Sequence, residues 1–141
     1  MKNDNKGFSL IELIVVIAIM AILVGALAPQ VTKYIEKSRQ AADIQALGAV
    51  YTAIQTALID PDVNDAPGTY NGNLTSITGT QFTAEVTETL GGSLNVASNL
   101  KSKKSKNAGG GATTINVSID GSKVTITAGL ITVDASGSHV S

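Results

Sequence analysis

The chain has no cysteine and no tryptophan, and a single histidine, His139, near its end. Without cysteine there is no disulfide framework, no thiol nucleophile and no cysteine-bound zinc. One histidine in a terminal segment is a poor basis for a histidine metal site or a Ser/His/Asp triad. Aromatic residues make up only 4% of the 141 residues and charged residues only 15%, against about 25% charged in an ordinary soluble domain. The formal net charge is −1, so the strongly basic balance of a dedicated nucleic-acid binder is missing. Most enzyme chemistry is disfavoured on these grounds, and no cofactor site is expected.

What is abundant is apolar sequence, and it is concentrated. Residues 8–28 read FSLIELIVVIAIMAILVGALA, with Ser9 and Glu12 as the two polar side chains. As a helix this block is about 32 Å long, enough to cross a hydrocarbon core of about 30 Å. It is apolar all round, which excludes an amphipathic surface helix. The leader MKNDNKG carries Lys2 and Lys6, which favour a cytoplasmic N-terminus. A secretory signal peptide ending at Ala26-Leu27-Ala28 and a plain membrane anchor both fit this pattern. Neither accounts for Glu12, a carboxylate that an apolar helix would gain by replacing.

Gly7-Phe8-Ser9-Leu10-Ile11-Glu12, followed by the apolar run, resembles the class III signal of type IV prepilins and the related type II pseudopilins. The resemblance spans Lys6 to about Pro29. It implies that a membrane aspartyl protease, the prepilin peptidase, cuts between Gly7 and Phe8 and N-methylates Phe8. It also implies that Glu12 and Pro29 are the family's assembly glutamate and helix-kinking proline. The physical chemistry is compatible with those roles. Glycine before the cut leaves the scissile backbone accessible. Cleavage creates an amine at Phe8, and Glu12 lies one helical turn away. The carboxylate can neutralise that amine within one chain or on a neighbour, which would set axial register.

Past Pro29 the pattern changes. Val31, Tyr34, Ile35, Ala41, Ala42, Ile44, Leu47, Val50, Tyr51, Ile54 and Leu58 recur at three- and four-residue spacing. Lys33, Glu36, Lys37, Arg39, Gln40, Asp43 and Gln45 lie between them. This predicts an amphipathic helix over 30–59, stopped by Asp60-Pro61-Asp62. Pro29, with Gly25 four residues earlier, should kink or locally open the helix.

Residues 60–141 are expected to form a globular domain. Ala66-Pro67-Gly68 and Asn71-Gly72-Asn73 read as a loop. Phe82, Val86 and Leu90 before Gly91-Gly92 suggest a short helix, with strand alternation over 82–86 as the rival. The run 101–106, KSKKSK, followed by Asn107-Ala108-Gly109-Gly110-Gly111, reads as a solvated loop; contact with an anionic polymer is the alternative. Residues 113–118 alternate, with Ile115, Val117 and Ile119 on one face. Asp120-Gly121 supplies a turn and Val124 and Ile126 the return strand. Leu130-Ile131-Thr132-Val133 offers a further strand. Asp60, Asp62, Asn64 and Asp65 partly resemble a Ca²⁺ loop but lack the glycine and distal glutamate of an EF-hand; a helix-terminating turn is the plainer reading.

The expected fold is α+β, a long N-terminal helix on a small antiparallel sheet. Its expected organisation is a cleaved leader (1–7), a transmembrane and filament-core helix (8–29), an amphipathic helix (30–59) and a C-terminal domain (60–141). By resemblance the chain is a major pilin polymerising into a surface filament for adhesion or motility, held in the cytoplasmic membrane as a precursor. The implied partners are copies of itself, the prepilin peptidase/methyltransferase, an inner-membrane platform protein and a motor ATPase. A secretion-system pseudopilin and a DNA-uptake or adhesive pilin are the alternatives. The tyrosine-proline stretch and tryptophan-containing segment common in secretion pseudopilins are missing. So is the family's usual C-terminal cysteine pair, leaving hydrogen bonds or neighbouring subunits to hold the tail.

Overall fold

A 50-residue helix, α1 (Leu10–Ile59), opens the computed structural model, which describes residues 8–106 and 114–141. The leader 1–7, with Gly7, and the stretch 107–113 lie outside the described residues. Two units divide the chain at Ile35, and each is taken by itself below.

In the first unit α1 carries Pro29 in its interior and stays helical past it through Tyr34. Proline has no N–H, so the Gly25 carbonyl is the one left without its i+4 amide donor. Three residues on, the Thr32 hydroxyl donates to the Ala28 carbonyl at 3.0 Å.

In the second unit the rest of α1 packs on a five-stranded antiparallel sheet in the order β1-β2-β3-β4-β5. Its strands are β1 (Thr69–Asn73), β2 (Ile115–Asp120), β3 (Lys123–Ala128), β4 (Ile131–Asp134) and β5 (Gly137–Val140). A second helix, α2 (Thr80–Thr89), lies between β1 and β2 in sequence. The expected α+β fold is what the structure shows, and the helix ends where Asp60-Pro61 predicts.

The core follows from two periods. Leu47, Val50, Ile54 and Ala57 fall at alternating three- and four-residue steps on α1 and are fully buried. Ile115, Val117 and Ile119 alternate on β2; their register partners Ala128, Ile126 and Val124 do so on β3. Ile131 and Val133 of β4 continue that face, and Phe82 and Val86 of α2 close the core beside Leu74 and Leu100. Each fully buried side chain of this size contributes about 1.5–3 kcal/mol.

Several expectations are corrected. Asn71-Gly72-Asn73 is the end of β1, not loop, because pairing with Ser118, Val117 and Asn116 supplies a ladder that overrides the local turn signal. The Tyr70 hydroxyl braces it by donating to the Asn73 carbonyl at 2.7 Å. The β2–β3 turn is one residue later than predicted: Asp120 pairs with Lys123, leaving Gly121-Ser122 as the loop. Residues 82–86 are helical, and α2 ends with the Gly91 and Gly92 amides donating to the Glu88 and Thr87 carbonyls. The amphipathic stripe begins to be covered later than its spacing suggests: Ala41 and Ala42 are exposed, and burial starts at Asp43.

The tail is strand, not fray. Strand β5 pairs with β4, with His139 opposite Thr132, although every β5 residue is exposed. The Ser141 amide donates to the Leu130 carbonyl at 2.9 Å and the Lys104 ammonium to the Ser141 carbonyl at 2.7 Å. Hydrogen bonds therefore tie the tail to β4 and to the lysine run.

Candidate assembly and processing site

At the start of α1, Phe8 is 93% exposed. Ser9 and Glu12 together start the helix. The Ser9 carbonyl accepts the Leu13 amide at 3.2 Å, and the Ser9 amide donates to Glu12 Oε2 at 2.9 Å. This is the glutamate half of a capping box, in which an N3 side chain reaches back to the N-cap amide. The Glu12 carboxylate thus has a partner within its own chain even in a segment that is otherwise apolar. Sequence reasoning placed Glu12 beside the Phe8 end but missed the cap, for which the Ser-x-x-Glu spacing was the available signal.

Beyond Glu12 the helix presents apolar side chains on all sides. Leu10, Ile11, Leu13, Met20, Ile22 and Val24 are each more than half exposed. Every residue of 8–35 is exposed. The segment is long and apolar enough to cross a membrane. A continuous bare apolar surface of this extent marks a face that meets lipid or other protein.

The four oxygen-bearing residues after α1 do not gather into a metal site. Asp60 Oδ1 accepts the Asp62 amide at 2.8 Å, closing a turn, and the Asn64 side chain donates to the Asp62 carbonyl at 3.3 Å. Asp65 turns away to α2, where its carboxylate accepts the Gln81 and Phe82 amides at 2.9 and 2.8 Å. The N-cap residue of α2 is Gly79, which has no side chain to cap with, so Asp65 caps the helix from outside. Gly79 has φ +110° and approaches so closely that a Cβ there would sit 2.7 Å from the Asp65 carbonyl oxygen. The Phe82 and Gln81 amides hold the Asp65 carboxyl below its ordinary value. Among the described residues no cluster of three or more histidines and carboxylates is placed to hold a metal.

The lysine run is not simply a solvated loop. Its backbone is wrapped around Asp43, a buried carboxylate of α1. Asp43 accepts the Lys101 amide at 2.9 Å, the Ser102 amide at 2.7 Å and the Ser105 hydroxyl at 2.7 Å. Burial alone raises the Asp43 carboxyl, but the hydrogen bonds from Ser102, Ser105 and Lys101 outweigh it and the net shift is downward. Glu36, two turns earlier, accepts the Lys103 amide at 2.5 Å. Gly129 lies against the other side of the loop with φ +59°, where a Cβ would stand 2.5 Å from the Lys104 carbonyl oxygen. Ser102 and Ser105 are buried, while Lys101, Lys103 and Lys106 are exposed. Sequence reading set Asp43 among the polar side chains between the stripe positions. Its i+4 relation to Leu47 was the missed sign that it lies on the buried face.

His139 sits in a small polar group on the β4–β5 hairpin. The Ser136 hydroxyl donates to Asp134 Oδ1 at 2.5 Å and lies 3.0 Å from His139 Nε2. Serine stands between acid and imidazole, so this is not the order of a hydrolytic triad.

Comparison with known proteins bears on the N-terminal segment. Residues 2–28 match the family model described as the prokaryotic N-terminal methylation motif. A type IV major fimbrial protein FimA of Dichelobacter nodosus is 43% identical over 60 residues, covering 43% of this chain and 38% of the relative. Fimbrial protein Q of Moraxella bovis is 43% identical over 58 residues, covering 41% of this chain and 37% of the relative. The type IV major alpha-pilin of Moraxella bovis is 43% identical over 58 residues, with 41% and 36% covered. The chain thus spans less than two-fifths of the length of these three relatives. No solved structure matches.

Proposed function

We propose that the chain is a type IV pilin, the structural subunit of a type IV pilus polymerising through α1 into a surface filament; its N-terminal methylation motif and fimbrial relatives support this reading. The observation that carries this is the bare apolar helix. An exposed apolar cylinder led by a methylation motif is stable only in lipid or against other copies. Lipid serves the precursor and neighbouring helices serve the filament. The relatives being named fimbrial proteins favours a pilus over a secretion pseudopilus.

In this reading residues 1–7 are the cleaved leader, 8–29 the filament-core helix, 30–59 the amphipathic helix and 60–141 the outward domain. Prepilin peptidase cuts after Gly7 and methylates Phe8. Glu12 leaves its cap on Ser9 to pair with the Phe8 amine of a neighbour, which sets register as each subunit docks. Pro29 weakens the helix where neighbours can re-satisfy opened backbone groups. The work of extraction comes from a motor ATPase acting through an inner-membrane platform protein. The subunit itself is not an enzyme; its product is a filament serving adhesion or motility.

Intact-mass measurement of subunits from sheared filaments tests this reading. The expected mature chain starts at N-methyl-Phe8 and has 134 residues, the full 141 less the seven of the leader. A mature chain starting at Pro29 would establish a secretory signal peptide instead, and the filament reading would fall.

A further inference from the structure

Along the second-unit part of α1 and the loops beside it, charge is sorted by position, with Glu85, Glu88 and Asp134 on other elements. Around Glu36–Asp43 the surface charges are positive: Lys37 and Arg39 on the helix, and Lys101, Lys103 and Lys106 on the loop anchored beside it. The carboxylates at this end are turned inward, Asp43 to the loop amides and the Ser105 hydroxyl and Glu36 to the Lys103 amide. Lys104 is directed to the Ser141 carbonyl. Among the described residues the only ion pair is His139 with Asp134, so Lys37, Arg39, Lys101, Lys103 and Lys106 have no carboxylate partner there.

The other end is acidic. Asp60 follows Asp43 by 17 residues, about 25 Å along the helix at ~1.5 Å per residue. There lie Asp60, Asp62 and Asp65, and the β2–β3 turn brings Asp120 alongside. The Gly121 amide donates to the Gly68 carbonyl, and the Gln55 side chain to the Ser122 carbonyl. Lys123, opposite Asp120 in the sheet, is the cation on this turn. Asp60 and Asp65 are engaged with backbone amides, whereas no hydrogen bond among the described residues uses the Asp62 carboxylate.

We propose that the lysine loop of one copy docks on the Asp62 end of the next, a head-to-tail contact between the globular units. The inference rests on the polymer reading above and names a second surface for it, separate from the apolar helix. Unlike ends on one unit make a heterologous contact, which propagates into an open helical filament wherever its rotation does not close a ring. Three features favour a copy of this chain over a polyanion. The chain's net charge is −1, so an anionic polymer gains little from long-range attraction. The complementary acidic surface is present on the chain itself. The loop backbone is pinned by Asp43 and Glu36, which fixes where the lysine side chains leave it.

Because the chain has no cysteine, the contact is open to site-directed cross-linking in filaments of the full chain. Lys103→Cys combined with Asp62→Cys, treated with a short bismaleimide, is expected to give a ladder of covalent multimers, and either single variant none. In parallel, Lys103→Glu with Lys106→Glu should lower sheared-filament yield by at least ~10-fold, equivalent to ~1.4 kcal/mol. Adding Asp62→Lys should restore most of it, and raised salt should weaken wild-type and rescued filaments alike. Intact filaments of the double-cysteine variant without a ladder would overturn the proposal. So would wild-type yield from the double-glutamate variant, or lysine-dependent retention of polyphosphate or DNA by filaments whose assembly is unchanged. Absence of filaments from the wild-type chain, by contrast, would defeat the polymer reading itself.

Discussion

The Asp43 carboxylate on α1 accepts the Ser105 hydroxyl at 2.7 Å across 62 positions of sequence. With the Lys101 and Ser102 amides on the same carboxylate, one side chain fixes the path of a whole loop. That loop in turn accepts the Leu130 amide through the Lys104 carbonyl at 2.7 Å, so Asp43 links α1 to the approach of β4.

Removing the carboxylate should therefore unfold more than a surface turn. Asp43→Ala leaves the buried Ser102 amide and the Lys101 amide without an acceptor and the Ser105 hydroxyl with only the Ser102 carbonyl at 3.0 Å, which we expect to cost about 2–4 kcal/mol. For a unit of this size that lowers Tm by roughly 10–20 °C. Asp43→Asn keeps one acceptor oxygen but turns an NH₂ toward the donors, so it should fall between the two. Thermal melts of the full chain in detergent, followed by the near-ultraviolet signal of its tyrosines, give the comparison. A Tm for Asp43→Ala within ~2 °C of wild type would show that the loop holds without its anchor.

Acid should act through the same group. The folded-state Asp43 carboxyl lies below its ordinary value, so the unfolded chain takes up the proton first as pH falls. Its stabilising contribution is complete above the unfolded value, near 3.8, and is lost as pH drops through the folded one. Asp65, held down by the Phe82 and Gln81 amides, and Asp134, held down by the Ser136 hydroxyl and amide, change in the same direction. Stability should thus be level from neutrality to about pH 5 and decline below pH 4. Asp43→Asn should make that decline shallower without abolishing it, as the other two carboxyls still titrate. Denaturant midpoints at a series of pH values decide this; an identical slope for both proteins would remove Asp43 from the acid transition.

What was legible in the sequence divides by the range of the interaction. The apolar block, the Asp60-Pro61 stop and the alternation of Ile115, Val117 and Ile119 are local signals, and the structure follows them. Asn71-Gly72-Asn73 and the tail around His139 were misread because their order comes from partners, β2 for one and β4 for the other, that no local pattern announces. Asp43 and Asp65 were misread for a related reason. Each is a carboxylate in a sequence that looks solvated, and each is claimed by amides that are distant in the chain. At the N-terminus Glu12 stands out in the sequence as a charge in an apolar run, and the hydrogen bond it accepts from the Ser9 amide gives it a capping role that the charge alone does not announce.

Those two roles of Glu12 are separable by substitution. Glu12→Gln keeps an oxygen able to accept the Ser9 amide but discards the charge. Glu12→Ala discards both, and Glu12→Asp keeps the charge on a side chain shorter by one methylene. Insertion into the membrane should be unaffected or slightly favoured by the neutral variants, since an apolar helix loses a carboxylate. Gly7 is intact in all of them, so processing should continue. If the charge neutralises a neighbour's Phe8 amine, glutamine and alanine should both fail to assemble. Leaving a buried charge without its partner costs ~3–5 kcal/mol, and half of that already lowers incorporation by one order of magnitude or more. Processed subunit should then accumulate in the membrane with few filaments, and aspartate should be intermediate. If the cap is what matters, glutamine should assemble like wild type and alanine alone should fail. Membrane and sheared-filament fractions, quantified side by side for the three variants, separate these outcomes. Wild-type filament yield from Glu12→Ala would show that neither the charge nor the cap guides assembly.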